Sequence, residues 1–106
     1  MFIAMNRFSV KRDRESEFVT LWKTRDSHLD GVAGFRRFDL LRGPESEDSV
    51  VYATHTEWLD EGAFRDWVAS DAFKKAHQGA RPDPEMFAGP NVLEMFTSVM
   101  HIYCID

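Results

Sequence analysis

The apolar pattern of this chain changes period along its length, and the order of those changes leaves few folds open. Residues 2–8 alternate: Phe2, Ala4, Asn6 and Phe8 share one face while Ile3, Met5 and Arg7 take the other, the period-two pattern of a strand. Phe18, Leu21, Trp22 and Arg25 then recur at helical spacing, with Asp13 or Ser16 as cap of a helix that runs to residues 24–26. Asp30-Gly31 and Gly34 break it. Residues 35–41 read as a second strand, Gly43-Pro44-Glu45-Ser46-Glu47-Asp48 as a polar turn, and the β-branched run 49–58 as a third strand. A helix over 60–69 puts Phe64, Trp67 and Val68 inward. Ser70 can cap a shorter one over 71–78, with Phe73, Ala76 and His77 one turn apart and Gly79 closing it. The proline-rich residues 80–90 form a loop placed to close over something. The last strand, 92–103, is apolar on both faces.

The order β-α-β-β-α-β predicts a ferredoxin-like α+β fold, with helices on one face of an antiparallel sheet. At 106 residues it makes one domain, 1–106. Helices on one face leave the other apolar through Ile3, Met5 and one side of the last strand. A second copy of the same sheet is the simplest cover, so a homodimer is expected.

Composition removes several function classes. A net charge of −5 argues against nucleic acid. The single cysteine, Cys104, excludes an intrachain disulfide and a cysteine-based zinc site and fits a reducing compartment. The apolar start ends at Asn6-Arg7, too short for a signal peptide, and no run approaches the length of a membrane span, which together point to the cytoplasm. Nine Phe and three Trp are many for so small a core; the surplus fits a flat-ligand pocket or a subunit interface.

Three residues invite chemistry. His77 is either a capping histidine near a helix end or an axial iron ligand through neutral imidazole. Haem needs only one such ligand, because the porphyrin supplies four nitrogens, and proton and iron compete for that nitrogen, so acid weakens binding. His28, His55 and His101 are rivals that spacing does not separate. Asn6 is an amide among Phe2, Ala4 and Phe8, and burial obliges it to bond either local backbone or a ligand. Trp67 is a core aromatic or a rigid ring pressed on a porphyrin face. No phosphate loop, nucleophile elbow or zinc-protease motif is present.

The segment Trp67-Val68-Ala69-Ser70-Asp71-Ala72-Phe73-Lys74-Lys75-Ala76-His77 resembles the Trp-to-His signature of IsdG-type and HmuQ-type haem-degrading monooxygenases, within the antibiotic biosynthesis monooxygenase superfamily. The start Phe2-Ile3-Ala4-Met5-Asn6-Arg7-Phe8, Thr24-Arg25, Gly34-Phe35 and Thr56-Glu57-Trp58 are similar to it as well. The resemblance implies a dimeric α+β barrel holding one haem per subunit, as substrate and cofactor, between helices and sheet. His77 would be the proximal iron ligand, Asn6 a distal hydrogen-bond donor and Trp67 the residue enforcing a ruffled ring, with Arg25 a partner for a propionate. Dioxygen and an external electron donor would cleave the ring at a meso carbon, releasing iron and a linear tetrapyrrole. Two other readings use the same pocket: a haem-binding or haem-buffering protein without turnover, and a cofactor-free monooxygenase of a quinol-like or polyketide aromatic.

Overall fold

The computed structural model describes residues 1–77 and 82–104. In chain order they form β1 (Phe2–Lys11), α1 (Glu15–Thr24), β2 (Phe35–Glu45), β3 (Ser49–Trp58), α2 (Glu61–Val68), α3 (Asp71–His77) and β4 (Val92–Thr97), with 3-10 turns at Arg12–Arg14 and Pro84–Met86. The strands make one antiparallel sheet in the order β2-β3-β1-β4, the ferredoxin-like arrangement. Among the described residues, no helix is long and apolar enough to cross a membrane.

Register decides what the helices cover. β1 and β3 pair without a slip from Phe2–Trp58 to Lys11–Ser49, so Phe2, Ala4, Asn6, Phe8 and Val10 share a face with Trp58, Thr56, Thr54, Tyr52 and Val50. At one end of that face Phe2, Ala4 and Trp58 meet Trp67 and Ala76 from α2 and α3. At the other end Val10, Val50 and Tyr52 meet Phe18 of α1 and Met86. Trp58 and Phe18 are fully buried, each contributing roughly 1.5–3 kcal/mol through lost water contact. Between the two clusters the strands carry Asn6 opposite Thr54, next to the small Ala4 and Thr56 at the edge of the first cluster, and large apolar side chains stop there.

Gly34 locks the helical layer onto this sheet. Its φ is +81°, and a Cβ built on it would lie 2.4 Å from the Ala63 Cβ in α2. Only glycine allows that approach. Its carbonyl also accepts from Leu59 N at 2.8 Å.

Several local expectations change. Neither Asp13 nor Ser16 caps α1: the chain enters through the 3-10 turn, and the N-cap position is Arg14, with no side-chain cap bond. The Arg14 guanidinium instead pairs with Glu17, at 2.7 Å. β2 runs on through Gly43-Pro44 to Glu45, which sequence patterning assigns to a turn; β2 is an edge strand, with a register irregularity between Arg42 and Glu45, where a residue without an N–H is tolerated. Val68 is exposed rather than inward. β4 ends at Thr97 instead of reaching residue 103, because its ladder on β1 runs out where Ser98 N donates to Met1 O. Ser70 does cap α3, its Oγ accepting from Phe73 N at 3.1 Å. Gly79, the expected end of that helix, lies outside the described residues. The described part of the 80–90 loop seats Met86 in the α1 cluster and ties Asp83 to Arg14 and Glu85 to Lys11, away from the helix pair that carries His77.

The sheet face opposite the helices carries Ile3 and Met5, both half-buried, with Phe96 across from Ile3 and Val92 across from Arg7.

Candidate functional site

A cavity of about 510 Å³ opens over the middle of the helix-covered face, within the range of roughly 300–1,000 Å³ typical of small-molecule sites. Its floor is Ala4, Asn6, Thr54 and Thr56, where the paired strands carry small or polar side chains between the two core clusters. α2 and α3 contribute Trp67, Phe73 and His77, the end of α1 contributes Trp22 and Arg25, and β4 adds Leu93 and Met95. Asn6, Arg25, Trp67 and His77, far apart in sequence, therefore share one cavity.

His77 is presented in a defined tautomer. Its Nδ1 lies 2.8 Å from the Phe73 carbonyl oxygen. A carbonyl only accepts, so Nδ1 carries the proton and donates, and Nε2 keeps its lone pair in the neutral ring. The imidazole also leans on the Phe73 ring, with centroids 4.0 Å apart and planes tilted by 33°. Ligating histidines are oriented by this kind of bond to backbone. Of the four histidines only His77 lines the cavity. His55 belongs to the opposite sheet face, in register with Met5, His28 sits in a loop beside Asp26, and His101 lies beyond β4 against Tyr103.

Trp67 serves core and cavity at once. It is buried, meets Trp58 at 6.2 Å between centroids and Phe73 edge-on at 5.7 Å, and still forms cavity wall. Ser70 stiffens the corner between α2 and α3: its Oγ donates to Trp67 O at 2.6 Å while accepting from Phe73 N. The serine of the Trp-to-His segment thus fixes the angle between the two helices that carry its ends.

Arg25 is committed to the fold. Its Nε and Nη2 donate to the Ala76 carbonyl at 3.1 and 2.8 Å, and the guanidinium lies over the Trp22 ring at 4.8 Å. It satisfies a carbonyl at the end of α3, next to His77. Burial pulls its pKa below the ordinary arginine value.

Among the described residues, the Asn6 side chain bonds neither local backbone nor a core group. Its Oδ1 accepts from Asn91 Nδ2 at 2.8 Å. Asn91 and Thr54 carry no mark in the sequence pattern; the β1–β3 register sets Thr54 opposite Asn6, and Asn91 directly precedes Val92, where the β4 pairing with β1 ends. Among the described residues no group of three or more His, Cys, Asp or Glu side chains converges on a metal site.

Fold and cavity define a small ferredoxin-like protein with a largely apolar ligand pocket, bearing one open imidazole nitrogen, between its helices and its sheet. The chain belongs to the antibiotic biosynthesis monooxygenase family, whose model matches residues 1–79. It is 33% identical over 81 residues to a staphylobilin-producing haem oxygenase of Staphylococcus haemolyticus, covering 74% of each chain. It is 29% identical to staphylobilin-producing haem oxygenase 1 of Staphylococcus aureus over 84% of this chain and 82% of that one. Among solved structures, it is similar to the haem degrader MhuD of Mycobacterium tuberculosis, which holds two haems in its active site. There the TM-score is 0.74 and identity 25%, with 97% of this chain and 100% of that one covered.

Proposed function

We propose that this protein is an oxygen-dependent haem-degrading monooxygenase that binds haem in the cavity between helices and sheet. The observation that carries this is the convergence of Asn6, Trp67 and His77 on one apolar cavity, with the His77 Nδ1 tied off so that Nε2 is available to iron. The donor set fits haem: four of the iron's positions are filled by the porphyrin, so a single imidazole suffices. The names of its relatives support the same reading.

In this reading His77 Nε2 holds the iron. Phe73 O fixes the ring's tautomer and orientation. Trp67, backed by Trp58 and Phe73, is a rigid wall that does not yield to the ligand, the property needed to hold a porphyrin out of plane. Asn6 does not titrate and donates a hydrogen bond from the sheet floor of the pocket. Arg25, whose Nη1 is not among the atoms bonded to Ala76, is the cation assigned to a propionate. Bound haem supplies the iron at which dioxygen is reduced and the meso carbon that is oxidised, with electrons from an external donor. Ring opening releases iron and a linear tetrapyrrole. The active form is a homodimer of cytoplasmic location, its sheets packed through the face that carries Ile3, Met5 and Phe96.

The test is a hemin titration followed by ascorbate in air with catalase present. A saturable one-to-one complex whose Soret band bleaches with iron release, unaffected by catalase, is expected. A complex that survives several reductants unbleached makes the protein a haem carrier. Absence of specific binding rejects the haem reading and turns the search to aromatic substrates.

A further inference from the structure

Asn6 is held by a residue that does not line its cavity. Asn6 faces the main cavity, whereas Asn91 lines a neighbouring hollow with Phe8 and Phe87. The bond from Asn91 Nδ2 to Asn6 Oδ1, at 2.8 Å, crosses the ridge between them. An amide has a donor end and an acceptor end, and it has two flips of similar shape and opposite polarity. We propose that Asn91 is a positioning residue that sets the polarity of Asn6, engaging its acceptor end so that its N–H donors are the end offered to a ligand.

The backbone explains why so exposed a residue is held in place. Asn6 pairs with Leu93 and Arg7 with Val92, so Asn91 continues β4 on the face of Leu93 and lies diagonally across from Asn6. On its other side Val10 bridges Phe87, and Ala88 N donates to Ser9 O at 2.8 Å. Gly89 and Pro90 take up the offset between these two stretches, and Pro90 has no N–H to leave unpaired. Asn91 is thus clamped between two segments already bonded to β1. In the opposite flip Asn6 would aim a carbonyl oxygen at the ligand and repel an anion.

The catalytic consequence rests on the haem reading, but the orientation itself does not. Two substitutions separate polarity from packing. Asn91→Ala removes the bond and leaves Asn6 free to turn. Asn91→Asp supplies an acceptor only, which captures the Asn6 N–H groups and turns its oxygen to the cavity. In the haem-free protein, the ¹H–¹⁵N resonances of the Asn6 side chain are expected to move in both variants, with one proton shifted downfield only in Asn91→Asp. In the ferric haem complex, cyanide affinity is expected to fall about tenfold or more in Asn91→Asp and by less in Asn91→Ala, the size of one hydrogen bond to a charged group. In an Asn6→Ala background neither Asn91 substitution should change it further. Unmoved Asn6 resonances overturn the proposal whether or not haem binds. Equal cyanide effects of the two variants, or effects that persist without the Asn6 amide, overturn it too. Resonances that move as expected in a protein that takes up no hemin leave the orienting role standing and reject the haem reading.

Discussion

His77 is exposed, with its ring on Phe73 and one nitrogen on the Phe73 carbonyl. Surface truncations of this kind shift unfolding free energy by about 0.5 kcal/mol or less. His77→Ala is therefore expected to unfold in urea almost as wild type does, yet to give no Soret shift with hemin; a wild-type-like complex would remove His77 from the iron. Trp67 behaves differently because it belongs to core and cavity together. Trp67→Phe keeps most of the buried surface, so it should bind haem and degrade it slowly, measured as the rate of Soret bleaching under ascorbate. Asn6→Ala is expected to do the same, and normal turnover by both variants would sink their assigned roles. At this scale the residues projecting from one helix pair were legible as a group, because spacing along a helix fixes which side chains are neighbours. The partner of Asn6 was not legible. Asn91 is 85 residues away in sequence, and the segments bonded to β1 on either side of it bring the two together.

The α2–α3 corner depends on a short helix that does not stand alone. A seven-residue helix (Asp71–His77) is marginal without its cap, and Ser70 both caps it and donates to the end of α2. Ser70→Ala is expected to cost about 1 kcal/mol in urea unfolding, and to weaken hemin binding although Ser70 bonds neither His77 nor Asn6; unchanged affinity would mean that α3 holds His77 without the cap. Gly34→Ala should cost more, about 2 kcal/mol or beyond, since it combines a left-handed backbone with overlap on Ala63. At the other end of the sheet, Glu15 accepts from Arg42 and from the Tyr52 hydroxyl, and these bonds lower its pKa, Arg42 contributing most. A carboxyl whose folded pKa lies below its unfolded one adds stability that is complete above the ordinary carboxylate range. That stability is lost as pH falls through the folded value. Glu15→Gln should therefore flatten the acid limb of a Tm-against-pH curve and change little between the variants below it; an unchanged acid limb would show the network to be neutral. Most element positions followed from apolar period, and the third strand matched residue for residue. The ends that did not follow were settled by tertiary partners. β2 extends because β3 is there to pair with it, and α1 starts between its two expected caps, at Glu15, with Arg14 drawn to Glu17 and Asp83.

The whole molecule leaves more apolar surface in water than a chain of this size needs to. On β4, Val92 is 51% and Phe96 48% exposed, and beyond it Val99 is 96%, Met100 75% and Ile102 79% exposed. Apolar alternation marks a segment as strand-like but does not say which chain it pairs with, and this is why residues 98–103 read as strand while no strand among the described residues pairs with them. Exposed apolar side chains in this number mark a protein contact, and the helices already occupy the sheet's other face. A two-fold partner would bring Ile3, Met5 and Phe96 against their own copies, a self-complementary contact that closes on itself. Sedimentation equilibrium at micromolar concentration is expected to give twice the chain mass. Phe96→Glu, which puts a charge at that contact without touching the haem cavity, should shift the species to monomer. Wild-type Tm should rise with protein concentration while that of Phe96→Glu stays flat, because association stabilises by mass action. If the monomeric variant still forms the one-to-one hemin complex, each cavity is complete within its own chain. A wild-type protein that sediments as a monomer would mean that the sheet face tolerates water, and would remove the need for a second copy.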